Sequence, residues 1–133
     1  MTPRDARDTP GEAPLLVRAA RGAVTVDSDT REAVLDATER LLRELLERNA
    51  ADAEDVVSIV FTATDDIRSA FPAEAARRIG LARVPLLCAR EMDVVGSLPS
   101  CVRVLVHFHT TRTPSEVAHV YLDGARSLRD DLA

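Results

Sequence analysis

Cys101-Val-Arg-Val-Leu-Val-His-Phe-His109 is the most strand-like run in the chain. Successive side chains of a strand point to opposite faces. Val102, Val104, Val106 and Phe108 therefore share one face, and Cys101, Arg103, Leu105, His107 and His109 share the other. The first set is expected to meet helices and form the core. Arg103 then faces away from them, toward solvent or another subunit. A face carrying Leu105 needs cover, so self-association through that face is expected. A guanidinium among β-branched neighbours is costly to desolvate unless an anion meets it, and a small dianion is the expected guest.

Working outward, Leu15 to Val26 reads as a strand, and Gly22, directly after Arg21, predicts a bulge or bend that would aim Arg21 out of the sheet. Val56 to Ala63 is short, β-branched and nearly all apolar, the pattern of a central strand covered on both faces. Val84-Pro-Leu-Leu-Cys88 is a further strand whose Pro85 favours an edge or an end. Asp29-Thr-Arg-Glu32 has capping-box spacing, with Asp29 as the cap of a helix over 30–48. Val34, Ala37, Leu41, Leu42, Leu45 and Leu46 form its apolar stripe, and Asn49 suits its end. Phe71-Pro72 opens a short helix closed by Gly80. Thr113-Pro-Ser-Glu116 is a second capping box, predicted to start a long helix carrying Val117, Val120, Tyr121, Ala125 and Leu128. The order predicts an α/β domain: a mixed β-sheet packed on one face by two long helices.

With 133 residues, 46% of them hydrophobic, the chain makes one domain with a real core. Residues 1–14, with Pro3, Pro10, Gly11 and Pro14 among charges, read as a disordered N-terminal tail, leaving a domain over 15–133. There is no Trp, one Tyr and three Phe, so aromatic stacking of nucleic-acid bases is poorly supplied. A formal charge of −5 argues against a nucleic-acid surface but leaves room for a local arginine pocket. No leader or membrane-spanning run is seen, and Cys88 and Cys101 fit neither zinc nor CxxC spacing, so a cytoplasmic protein with free thiols is expected. His107 and His109 alternate on one strand face without an evident third ligand, so no metal is expected.

The segment from Cys88 to Arg103 links two apolar strands through a polar loop and carries a thiol, a carboxylate at Glu91 and the arginine. Cys88 has no base placed beside it and reads as a small filler rather than a nucleophile. Taken alone, Glu91 is a loop carboxylate, Arg21 a surface charge, Tyr121 a core residue, and Arg77 with Arg78 a solvated helix face.

Several blocks together carry a resemblance: Arg21-Gly-Ala, Thr64-Asp-Asp, Phe71-Pro-Ala73, Arg77, Val84-Pro-Leu-Leu-Cys88, Glu91-Met-Asp93, Gly96, Cys101-Val-Arg103 and His119-Val-Tyr-Leu122. Over Val17 to Leu132 the chain resembles the monofunctional AroH-class chorismate mutases. The resemblance implies a homotrimer with a pseudo-α/β-barrel core and active sites at subunit interfaces. It implies the cofactor-free pericyclic rearrangement of chorismate to prephenate in phenylalanine and tyrosine biosynthesis. It places Arg103 near the ether oxygen and a carboxylate, Arg21 and Tyr121 on carboxylate, and Glu91 with Cys88 on the ring hydroxyl. Phe71, Ala73, Leu86 and Leu87 would line the pocket, with Arg77 and Leu128 near its mouth. Leu87 stands where the family often has a polar residue, and Glu74 where a lysine is familiar. Two other readings stand beside this one: a trimer of the imine and enamine deaminase kind, and a non-catalytic trimeric module that binds small carboxylates.

Overall fold

The computed structural model describes residues 13–132. The expected tail over 1–14 lies, but for its last two residues, outside them. The elements run β1 (Leu16–Thr25), α1 (Arg31–Arg48), β2 (Val56–Ala63), α2 (Ala73–Arg78), β3 (Leu86–Arg90), β4 (Cys101–Thr110) and β5 (Val120–Leu122), followed by a 3₁₀ helix over Asp123–Leu132. The strands form one five-stranded sheet in the order β3-β2-β4-β1-β5. β4 is its centre, antiparallel to β1 and β2, while β3 and β5 lie parallel to their neighbours at the edges. The proline-led strand is thus an edge strand, although it begins one residue after Pro85.

The alternation of β4 sorts its side chains as its period requires. Val102, Val104, Val106 and Phe108 are buried against the α1 and α2 side, with Val34, Leu35, Leu41, Leu42 and Leu45 of α1 opposite. Each such aliphatic contributes about 1.5–3 kcal/mol by leaving water. Arg103, Leu105 and His107 are half-buried on the other face and His109 is exposed. β2 is covered on one face rather than two within the chain: Ile59 and Phe61 are buried, but Val57 is exposed and Val60 half-buried.

Two local expectations are corrected. No bulge occurs at Gly22, because the β1–β4 register is unbroken from Leu16 to Thr25. The irregularity lies in β2, between Val56 and Ser58. Gly22 serves a different need: a Cβ there would lie 2.8 Å from Leu45 Cδ1, 3.0 Å from Leu41 Cδ1 and 3.1 Å from the Val120 carbonyl oxygen. Only a bare Cα lets α1 and β5 come so close. Thr30, not Asp29, caps α1, its hydroxyl accepting from the Ala33 N–H at 3.1 Å. Asp29 instead accepts the N–H groups of Arg68 and Ser69, each at 3.0 Å, and so ties the turn before α2 to the start of α1.

The largest difference is at the end of the chain, where the second long helix does not form. The Thr113–Glu116 capping box closes as expected, yet it starts only the short 3₁₀ turn Pro114–Glu116. The Asn49 side-chain amide then captures both backbone groups of Ala118: Nδ2 donates to its carbonyl at 2.9 Å, and Oδ1 accepts its N–H at 2.8 Å. Those groups are lost to a helix, and the next residues take the free edge of β1 as β5. Tyr121 is therefore a strand residue paired with Ala23. The 3₁₀ helix after it folds onto the sheet face away from α1, where Ala125 is buried with Ala23 and Cys101, and Leu98, Tyr121 and Leu128 pack around them.

Candidate active site

Strand register draws one row of residues across the open face of the sheet. Thr62 of β2 pairs with Arg103 of β4, Arg103 with Ala23 of β1, and Ala23 with Tyr121 of β5. Arg21 stands two residues from Ala23, opposite Leu105, and so on the same face as Arg103. Diagonal neighbours on such a face are about 7–8 Å apart at Cα, within reach of two arginine side chains. Ala23, beside both, is small and lines the same cleft. Glu91 arrives directly after β3, its N–H held by the Ala63 carbonyl at 3.0 Å. The Thr62 hydroxyl donates to its carboxylate. These residues line a cleft of about 320 Å³ that includes Arg21, Ala23, Thr62, Glu91, Arg103 and Tyr121. Arginine, carboxylate and phenol thus converge on one cavity from four strands and a loop.

Arg103 is the unusual group. Its Nε is buried and has no hydrogen-bond partner among the described residues. A buried charged donor left unmade costs about 1–3 kcal/mol or more, and a charge-assisted bond to an anion would recover it. Beside it, burial pushes the Cys101 thiol up, with the Arg103 charge opposing and Glu91 adding to the rise. Cys101 is therefore a neutral thiol at physiological pH, and no thiolate competes for Arg103.

The remaining sequence-predicted residues lie elsewhere in the chain. Cys88 pairs with Phe61 on the helix-facing side of β3, and with Phe71 it lines a larger cavity of about 650 Å³. Arg90, paired with Asp65, and Arg31, paired with Glu74, also border that cavity. Arg31 holds the Glu74 carboxyl below its usual range, so the acidic residue there is matched by a cation. Phe71 is 71% exposed and Leu87, on the open face of β3, 62%. Leu86 packs on the fringe of the core, Ala73 is buried in α2, and Arg77 is on the exposed side of α2. Leu128 packs beside Tyr121. Thr62, which orients Glu91, was missed by the sequence reading. Its one signal was a hydroxyl at the open-face position of an otherwise apolar strand end. On that face Ser58 Oγ lies 3.2 Å from His107 Nδ1.

A cleft with two arginines on the open face of a small mixed α/β sheet suits a small anionic ligand. The sequence model of the family described as chorismate mutase type I matches residues 17–132. The chain is 52% identical over 118 residues to the chorismate mutase AroH of Thermus thermophilus, covering 88% of this chain and 97% of that protein. It is 41% identical over 120 residues to the chorismate mutase AroH of Bacillus subtilis (strain 168), covering 90% and 94%. A solved chorismate mutase from Clostridium thermocellum superposes with a TM-score of 0.81 at 43% identity, covering 83% of this chain and 98% of that one. The chain belongs to the type I chorismate mutase family, and its activity is that of a chorismate mutase, an isomerase. The deaminase-like and non-catalytic readings are set aside by the same findings. No helix among the described residues is long and apolar enough to cross a membrane.

Proposed function

We propose that this cleft is the catalytic half-site and that Arg21, Arg103, Glu91 and Tyr121 perform the rearrangement of chorismate to prephenate. Arg21 and Tyr121 hold one carboxylate, and Arg103 reaches the other carboxylate and the ether oxygen. Glu91, oriented by Thr62, accepts from the ring hydroxyl. In this pericyclic step the C–O bond breaks ahead of C–C bond formation, so negative charge grows on the ether oxygen. A fixed guanidinium there stabilises the transition state more than the ground state. Anchoring both carboxylates also holds the reactive, folded conformer of the substrate, which removes orientational entropy from the barrier. No nucleophile, general base or cofactor is required, and Cys88 acts through position rather than through thiolate chemistry. The observation that carries this reading is the buried, unpartnered Nε of Arg103 in the same cleft as Arg21.

The other proposed contacts, Phe71, Ala73, Arg77, Leu86, Leu87 and Cys88, belong to a second wall, supplied by a neighbouring copy in a homotrimer. Supporting this are the exposed Phe71 and Leu87 and the half-buried Leu105 on a sheet face that the 3₁₀ helix after β5 covers only in part. The reading takes 15–133 as one catalytic domain and places the enzyme in the cytoplasm, where free thiols such as Cys88 and Cys101 persist.

The test is loss of chorismate absorbance with purified protein. Arg103→Lys keeps the charge but removes the Nε–H and the fork geometry, so kcat should fall about 10²–10³-fold with thermal stability unchanged. Near-native turnover in that variant would mean that Arg103 is misassigned.

A further inference from the structure

Arg21 sits where the sheet runs out of partners. β5 pairs only with Gly22, Ala23 and Val24, so on that side the ladder begins one residue after Arg21. The Arg21 N–H is directed to that side and donates to His119 Nδ1 at 2.9 Å. His119 stands directly before β5. An imidazole nitrogen that accepts must carry a lone pair, so His119 is neutral and holds its proton on Nε2. Burial lowers its proton affinity, and the Arg21 charge lowers it further, so both keep the ring in the accepting state. Losing the imidazole would leave the Arg21 amide without its partner on the side of β1 where the β5 ladder has not yet begun. The Arg21 side chain is exposed and has no ion pair among the described residues, so its aim depends on its backbone.

We propose that His119 is a positioning residue for the reaction: its neutral imidazole holds the Arg21 amide and so fixes the guanidinium in the cleft before the substrate arrives. The proposal rests on the role given above to Arg21. It requires no contact between His119 and the substrate. A purely structural histidine would change stability alone, whereas a positioning one changes substrate binding as well.

The experiment compares His119→Leu, His119→Asn and Arg21→Ala with the wild type, following chorismate consumption and thermal melting. Asparagine can set its carbonyl oxygen where Nδ1 stood, and leucine cannot. One lost backbone hydrogen bond of about 1 kcal/mol corresponds to a roughly fivefold rise in KM, with kcat changed less than about twofold, for His119→Leu. His119→Asn should return KM to within about twofold of wild type. Should the leucine variant fail to fold, His119→Gln, whose oxygen falls beyond the Nδ1 position, takes its place. Long-range ¹⁵N–¹H correlation on the wild type should show the His119 Nδ1 without a proton at neutral pH. A protonated Nδ1, or equal KM values for the leucine and asparagine variants, overturns the His119 role while leaving the site intact. A wild-type KM for Arg21→Ala overturns the site assignment and the His119 role together.

Discussion

Gly22→Ala adds one methyl group, and two effects of opposite sign meet at it. Alanine reduces the freedom of the unfolded chain, which would stabilise the fold by about 0.4–1 kcal/mol at a permissive site. The site is not permissive. The new Cβ would stand 2.8 Å from Leu45 Cδ1 and 3.0 Å from Leu41 Cδ1, and both leucines are buried in the core. The third contact, 3.1 Å to the Val120 carbonyl oxygen, is backbone in β5 and cannot rotate away. Overpacking of this kind costs about 1–3 kcal/mol. The net expectation is a loss of about 1–2 kcal/mol. Because Arg21 is the preceding residue, pushing β1 off α1 should also raise KM for chorismate. Urea unfolding at a fixed protein concentration reads the first quantity, since any subunit association makes stability concentration-dependent. A variant as stable as the wild type, with unchanged KM, would show that α1 and β5 do not need the bare Cα.

Two further substitutions test the frame around the site. Ala50 has φ +50° and ends α1 in a Schellman motif, with its N–H on the Glu47 carbonyl and the Ala51 N–H on that of Leu46. Ala50→Gly removes the left-handed penalty and should raise stability by roughly 0.5–1 kcal/mol in urea unfolding; no gain would mean that the strain is relieved some other way. Asp66 accepts from the Thr64 hydroxyl and from the N–H and hydroxyl of Ser100, the residue before β4, and these bonds, that of Thr64 foremost, lower its pKa. A carboxyl lowered on folding contributes stability that is present above its unfolded pKa near 4 and is lost as pH falls through its folded value. Asp66→Asn should therefore lower Tm at pH 7 and flatten its decline below about pH 4; parallel Tm–pH curves for the two proteins would exclude this role.

What the sequence determined by itself were the features that repeat along a short stretch. The alternation of Val102, Val104, Val106 and Phe108 against Arg103 and Leu105 needed only the period of a strand. The stripe of α1 needed only the period of a helix, although its cap fell on Thr30 rather than Asp29, because Asp29 had backbone partners at Arg68 and Ser69 that spacing cannot reveal. The motif blocks carried the family. The structure decided whatever depended on partners distant in the chain. Thr113 to Glu116 has the same local signal as a true helix start, but Asn49, 69 residues from Ala118, spends the backbone groups a helix would use. Gly22 looked like a bend because a local reading sees only its missing side chain and not Leu41 and Leu45 above it. Arg21 and Arg103 were legible as charged residues on strands, yet their meeting in one cleft follows from register across β1 and β4. Periodicity is written into neighbouring residues, whereas ladders, close approaches and clefts are made by groups that only folding brings together.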